Sequence, residues 1–189
     1  MTSTHVVVLL IVLMSVIGAV AIAFIMRKRT EKLRAQFGPE YDRTVAETGN
    51  RFKAEAQLAK VEERVRRYEL RPITAADRDR FRQSWRIIQA KFVDNPSGAL
   101  DEADQLLARV MQARGYPPTD FQNRALEISV DHGAVVENYR AGHEIVVRNA
   151  RREATTEDLR KAMVHYRALF DELMQEEPVP LRARAVGRS

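Results

Sequence analysis

Three of the four histidines and one neighbouring aspartate are the candidates in this sequence for acid-base or metal chemistry. Asp131 and His132 are adjacent, and His143 and His165 follow in later segments. An imidazole beside a carboxylate is the arrangement of a general base and also of a zinc site. The alternative is that these histidines are partly buried side chains with ordinary hydrogen bonds, which is common for histidine. The four residues define the candidate polar cluster of the sequence.

The spacing around these residues limits that chemistry. If His132 and His143 shared one helix, they would lie roughly 16 Å apart along its axis, which is too far to share one ion. The sequence has no HExxH motif, no glycine-rich phosphate loop, no serine in a nucleophile elbow and no cysteine. We therefore predict no catalytic residue, no cofactor and no metal site. Instead, we expect Asp131 to cap the following helix and His132 to cover the junction.

The strongest element in the sequence is the uncharged segment 6–26, VVVLLIVLMSVIGAVAIAFIM. A helix of this length is about 31 Å long and matches the hydrocarbon core of a bilayer. The preceding flank, residues 1–5, has no lysine or arginine. A cleaved signal peptide would need a basic flank on that side and a shorter apolar run. The pattern predicts an uncleaved, single-pass transmembrane helix that contacts membrane lipid.

Basic residues are concentrated directly after this segment. Residues 27–34 have a net charge of +4, residues 182–189 have +3, and −2 remains on the rest of a chain whose total is +5. Because positive flanks are cytoplasmic, we expect the N-terminus outside and the body at the inner face of the cell membrane; an exported body is the alternative. The near-neutral body makes nucleic-acid binding unlikely. Contact with anionic head groups is expected from Arg27, Lys28, Arg29, Lys32 and Arg34.

Residues 27–71 are predicted to form a basic juxtamembrane segment and a charged stalk helix. Residues 41, 45, 48 and 52 form one apolar stripe, and residues 58, 61, 65 and 68 form another. The two stripes are out of register, and Gly49 lies between them, so a break in the helix is one interpretation. Self-association through a coiled coil is a second possibility, and a solvated helix leaning on the body is a third.

Residues 72–175 are predicted to form a compact bundle of about five helices. Apolar residues recur there every three or four positions, and Thr74 and Thr155 are typical of helix starts. No segment alternates as a strand would. The predicted helices cover residues 75–93, 97–114, about 120–132, 134–151 and 156–175. The basic tail, residues 176–189, is predicted to be disordered. The fold class is therefore all-α.

Several phrases of the sequence carry a family resemblance: FGPEYDRTV at 37–45, FVDNP at 92–96, RGYP at 114–117, SVDH at 129–132, ENYR at 137–140 and TEDLRKAMVHYRALF at 156–170. Together they resemble an uncharacterised family of bacterial, membrane-anchored, single-pass helical proteins of unknown function. Its members often have proline where this chain has Gly133. The resemblance implies an anchored all-helical protein and brings no activity or site.

The sequence predicts a membrane-tethered helical interaction or scaffold protein with an unidentified protein partner. The alternative is a small helical enzyme or metal-binding bundle that uses His132, His143, His165 and Asp131. Clustering of these four side chains around one cleft would favour the alternative.

Overall fold

The computed structural model describes residues 2–175, with side chains from residue 5 onward except Val6. Within this range the regular secondary structure is all α-helical, and there are no strands. The helices are α1 (Thr2–Phe37), α2 (Pro39–Thr48), α3 (Arg51–Arg66), α4 (Ala75–Lys91), α5 (Pro96–Ala113), α6 (Phe121–His132), α7 (Val136–Ala150) and α8 (Thr156–Leu173). The prediction of an all-α fold is confirmed. The predicted disordered tail lies outside the described residues.

The first helix, α1, continues without a break from the apolar segment into the body. It starts in the short N-terminal flank and continues through the apolar segment to Phe37. One part of it, Val7–Phe37, is long and apolar enough to cross a membrane, and its most apolar stretch has no burial against the rest of the protein. Residues 27–37, the basic juxtamembrane segment, therefore continue the same helix. The last two turns are buried, since Leu33 is 2% and Phe37 0% exposed.

The segment predicted as a stalk is a pair of helices packed into the body. Gly49 ends α2 in the left-handed conformation (φ 64°), and the Asn50 side chain caps α3 by accepting a hydrogen bond from the Lys53 amide. The break near Gly49 is therefore the interpretation that is confirmed. The apolar stripe of α3 at Leu58, Val61 and Val65 is buried within one chain. This stripe is covered by the chain itself and leaves no seam for a coiled coil.

The break also separates the two ends of the first apolar stripe. Tyr41, at the start of the stripe, is buried. A new helix starts at Arg51, so the helical phase that would have turned Phe52 inward is lost. Its side chain is 60% exposed.

Helices α4 to α8 begin and end close to the predicted bounds, and α4, α6 and α8 each start at a residue whose side chain caps the helix. Thr74 accepts from the Asp77 amide, Asp120 accepts from the Asn123 amide, and Thr155 forms a capping box with Asp158. The predicted capping role of Asp131 is wrong. Helix α7 starts after Val135, which provides no side-chain cap.

Two groups of helices share one core. Helix α8 packs on α5 and α7, and α4 packs on α5; the second group joins the end of α1 with α2, α3 and α6. Helix α6 connects the groups, since it packs on α1, α3 and α7. The rings of Trp85 and Phe170 stack at 4.8 Å between α4 and α8. The body therefore starts at about residue 30 and not at residue 72.

Candidate functional site

Asp131 and His132 belong to a buried polar network at the end of α6. His132 is 3% exposed, and its Nδ1 lies 3.0 Å from Oε1 of Glu172 on α8. An ionised carboxylate can only accept, so Nδ1 of His132 donates and Nε2 faces the interior as an acceptor. Oδ2 of Asp131 accepts from the Tyr116 hydroxyl at 3.3 Å. The adjacent pair therefore bonds to different helices.

The charged forms of this network are disfavoured by burial. Burial lowers the pKa of His132, although the hydrogen bond that His132 donates to Glu172 partly opposes this effect. Burial also raises the pKa of Asp131 and lowers the pKa of Arg114. A neutral imidazole beside a carboxyl group is a combination seen in acid-base sites.

The surroundings of this network favour a structural role. Arg114 follows the last residue of α5, and its Nη1 donates to the carbonyl of Leu173 at 2.8 Å, at the end of α8. His132 is the last residue of α6. The C-terminal ends of α5, α6 and α8 are thus linked by the Arg114–Leu173 and His132–Glu172 contacts, and the positive charge of Arg114 suits the partial negative charge at the end of α8. The network holds helix ends together.

The other two histidines lie elsewhere and have separate partners. The His143 ring stacks on the Phe121 ring, with centroids 3.5 Å apart and planes 11° apart. Burial lowers the pKa of His143. His165 Nδ1 lies 3.0 Å from Oδ1 of Asn138. Residues 2–175 contain no group of three or more histidine or acidic side chains that could hold a metal ion.

A polar groove runs between α2, α6 and α7. Its volume is about 600 Å³, which is within the range of ligand pockets. Arg140 crosses its floor and donates to both carboxylate oxygens of Glu40, at 2.5 and 2.7 Å, and to Gln122 at 2.6 Å. The walls also contain Arg43, Phe121, Glu137, Ala141, His143, Glu144 and Val147. His143 is the one residue of the candidate cluster in this groove.

The junction between α1 and α3 contains the most extensive polar contacts near the apolar segment. The Thr30 hydroxyl donates to Oε1 of Glu55 at 2.7 Å, and the Tyr41 hydroxyl donates to the same oxygen at 2.9 Å. Arg51 pairs with this carboxylate as well, at 3.3 Å. Glu55 is only 5% exposed, so its negative charge is balanced by partners from three helices.

The five predicted lipid-binding residues fall into two groups at this junction. Lys32 pairs with Glu62 of α3 at 3.1 Å, and Arg34 pairs with Asp42 of α2 at 2.7 Å. Arg27 and Lys28 interact only along α1, with Glu31 at 3.0 Å and with the Phe24 ring at 4.8 Å. Arg29 is exposed. Lys32 and Arg34 therefore connect α1 to the body, while the first three cations lie at the end of the apolar segment.

The contacts between α1 and α3 that form this junction are not predicted from the sequence. Met26, Thr30, Leu33 and Phe37 follow a 4-3-4 spacing, which is the signature of a helix face that packs on a body. The adjacent apolar segment obscured that stripe. Glu55 and Glu62 are seven residues apart on one face of α3, yet a glutamate in a charged helix gives no sign of burial.

No protein-family model, curated protein or solved structure matches this chain.

Proposed function

We propose that this is a single-pass membrane protein whose helical body acts by binding another protein at the membrane surface, as a scaffold or accessory subunit. The observation that supports the proposal is helix α1. Val7–Phe37 meets the length and composition of a membrane span, and the end of the same helix is buried in the body. A body held in this way stays close to the membrane, which raises its effective concentration for a membrane-bound partner.

The proposed orientation places the body on the cytoplasmic side of the cell membrane. Arg27, Lys28 and Arg29 follow the apolar segment, while its other flank has no basic residue. The five cations of residues 27–34 are the charges that the positive-inside rule counts, because they lie within a few residues of the span.

The orientation is tested by cysteine labelling, for which the chain is suited because it contains no cysteine. Ser3→Cys and Gln57→Cys are expressed separately in intact cells and treated with a membrane-impermeant maleimide. We expect labelling at position 3 in intact cells and at position 57 only after permeabilisation. The reverse pattern would establish an exported body, and a protein released by alkaline carbonate would exclude a span.

The partner is tested at the groove between α2, α6 and α7, because its charged walls are contributed by three helices. A photo-crosslinking residue replaces Val147, which lines the groove and is 39% exposed. The control position is Ile87 of α4, which is 50% exposed. We expect one discrete crosslinked species from position 147 and none from position 87. The absence of any species from 147 at native expression would contradict the interaction role.

A further inference from the structure

The α2–α3 turn combines two cations with an exposed aromatic ring. Arg51, Phe52 and Lys53 are consecutive and exposed. In the described residues from 27 to 175, Phe52 is the only aromatic side chain that is exposed. The Arg51 guanidinium lies 5.9 Å from the centroid of the Phe52 ring. Apart from this contact with Arg51, the Phe52 ring exposes apolar area to water, since its side chain is 60% exposed.

The distance from this turn to the end of the apolar segment is fixed by hydrogen bonds. Thr30 Oγ1 is 2.7 Å and Arg51 Nε is 3.3 Å from the same atom, Oε1 of Glu55. Arg51 Nε therefore lies within about 6 Å of Thr30 Oγ1. Thr30 is one turn beyond Met26, about 6 Å along the helix. The head-group layer is roughly 5–8 Å thick on each side of the hydrocarbon core. If the core ends at Met26, Arg51 lies within the head-group layer or directly beside it.

Basic side chains predominate at this level on both elements. Arg27, Lys28 and Arg29 are on α1, and Arg51 and Lys53 are on α3. Of the nearby acids, Glu55 is buried and pairs with Arg51, whose side chain is still 50% exposed, and Glu31 pairs with Arg27. Anionic lipid head groups complement such a surface, and aromatic rings are enriched at the boundary between head groups and acyl chains.

We propose that the turn formed by Arg51, Phe52 and Lys53 is a second membrane contact. Its two cations bind anionic lipid head groups, and the Phe52 ring enters the interface. The proposal rests on the membrane span proposed above. It also fixes the rotation of the body about the axis of α1, because α1 and the turn beside it together define which face of the body is directed toward the bilayer.

The test uses the full chain in vesicles of neutral phosphatidylcholine, with or without about one third anionic phosphatidylglycerol. Phe52→Trp provides a fluorophore at the turn, and the unmodified chain provides the background of Trp85, which is 2% exposed. Lipids with a nitroxide near the head group are the quencher. We expect at least twofold stronger quenching of the added tryptophan in anionic vesicles than in neutral ones.

Charge reversal provides the matched comparison. In the Phe52→Trp background, Lys53→Glu should reduce quenching in anionic vesicles to the level in neutral ones. Lys60→Glu, seven residues further along the same face of α3 and also exposed, should leave it unchanged. Glutamate three residues after the cap suits a helix start, so Lys53→Glu is expected to fold.

The two proposals fail in different ways. Extraction of the protein by alkaline carbonate would refute the span. A protein that resists carbonate and whose tryptophan at position 52 is not quenched would overturn the second contact. Equal quenching in neutral and anionic vesicles would refute the role of head-group charge.

Discussion

At the scale of single residues, the body contains several buried carboxylates, and each accepts at least one hydrogen bond or ion pair from another helix. Glu127 is 1% exposed and accepts from Arg64 at 3.0 Å and from the Tyr68 hydroxyl at 2.8 Å. Burial, followed by the Glu127 hydrogen bond, raises the pKa of Tyr68 to about 12, so this tyrosine remains a donor. Buried ion pairs add little net stability, but losing one partner leaves an uncompensated charge. These groups therefore restrict which helices can be neighbours.

The buried imidazole of His132 makes stability depend on pH. Its pKa in the folded protein is lowered by burial, while in the unfolded chain it is about 6.5. Below that value the unfolded state binds a proton that the folded state does not, so the free energy of unfolding falls as pH falls. We expect His132→Gln to reduce the loss of stability between pH 7 and pH 5, measured by urea unfolding of the detergent-solubilised protein.

Glu172→Gln provides a comparison of opposite sign. The Glu172 carboxylate raises the pKa of His132, so its removal should lower that pKa further and steepen the loss of stability in acid. Equal pH profiles for the wild type and both variants would show that His132 does not titrate differently in the folded state.

At the scale of elements, α1 and α6 meet where two glycines bring their backbones together. Gly38 follows α1 with φ 54°, and a Cβ there would lie 3.1 Å from the carbonyl oxygen of Gly133. A Cβ on Gly133 would lie 2.7 Å from the carbonyl oxygen of Gln36. Main-chain atoms of two packed helices cannot move aside as a flexible side chain can. The contact therefore sets how the end of α1 sits on the body.

We expect Gly133→Ala to destabilise the folded protein by about 1–3 kcal/mol, the usual effect of overpacking. Gly18→Ala is the control, because nothing lies within 4 Å of a Cβ at that position. Thermal unfolding in detergent should separate the two variants. Equal melting temperatures would contradict the close approach of α1 and α6.

Sequence patterns were sufficient for helices whose buried face is apolar. The stripe of α8 at Leu159, Met163, Tyr166, Phe170 and Leu173 is buried as expected, and its capping box was visible in the sequence. The break at Gly49 remained one of several interpretations because glycine is tolerated within helices. This break determines whether residues 27–71 form one extended helix or helices that pack on the body.

The candidate site was less accessible to sequence analysis. The sequence indicates that Asp131 and His132, as neighbours, point in different directions, but it does not indicate which side chains each of them contacts. Glu172 and Tyr116, their actual partners, are 40 and 15 residues away from the residues they bind. Contacts over such separations depend on helix packing, which periodicity does not specify.

At the scale of the whole molecule, the boundary between anchor and body lies inside α1. Leu33 and Phe37 belong to the core, and Thr30 and Lys32 bond to α3. The apolar segment before them is exposed. A deletion that ends before residues 27–37 should thus leave the body folded, whereas a deletion that includes them should unfold it.

We expect a chain that starts at residue 27 to fold cooperatively in aqueous buffer, and a chain that starts at residue 39 to lose its cooperative transition. The second deletion removes the buried side chains of Leu33 and Phe37. Each contributes roughly 2–5 kcal/mol to the free energy of unfolding, which is on the order of 5–15 kcal/mol for a whole domain. Urea unfolding followed by circular dichroism provides the measurement. Similar transitions for both chains would show that the end of α1 is dispensable.

Helix α1 runs without a break from the apolar segment into the core, so a change in its tilt would be transmitted to the body. A transmembrane helix changes its tilt when the surrounding bilayer becomes thinner or thicker. If α1 spans a membrane as proposed, the body would tilt with it, because α1 is one continuous helix. Bilayer thickness would then set the angle between the membrane and the groove formed by α2, α6 and α7, and the proposed lipid contact of the α2–α3 turn would limit that tilt.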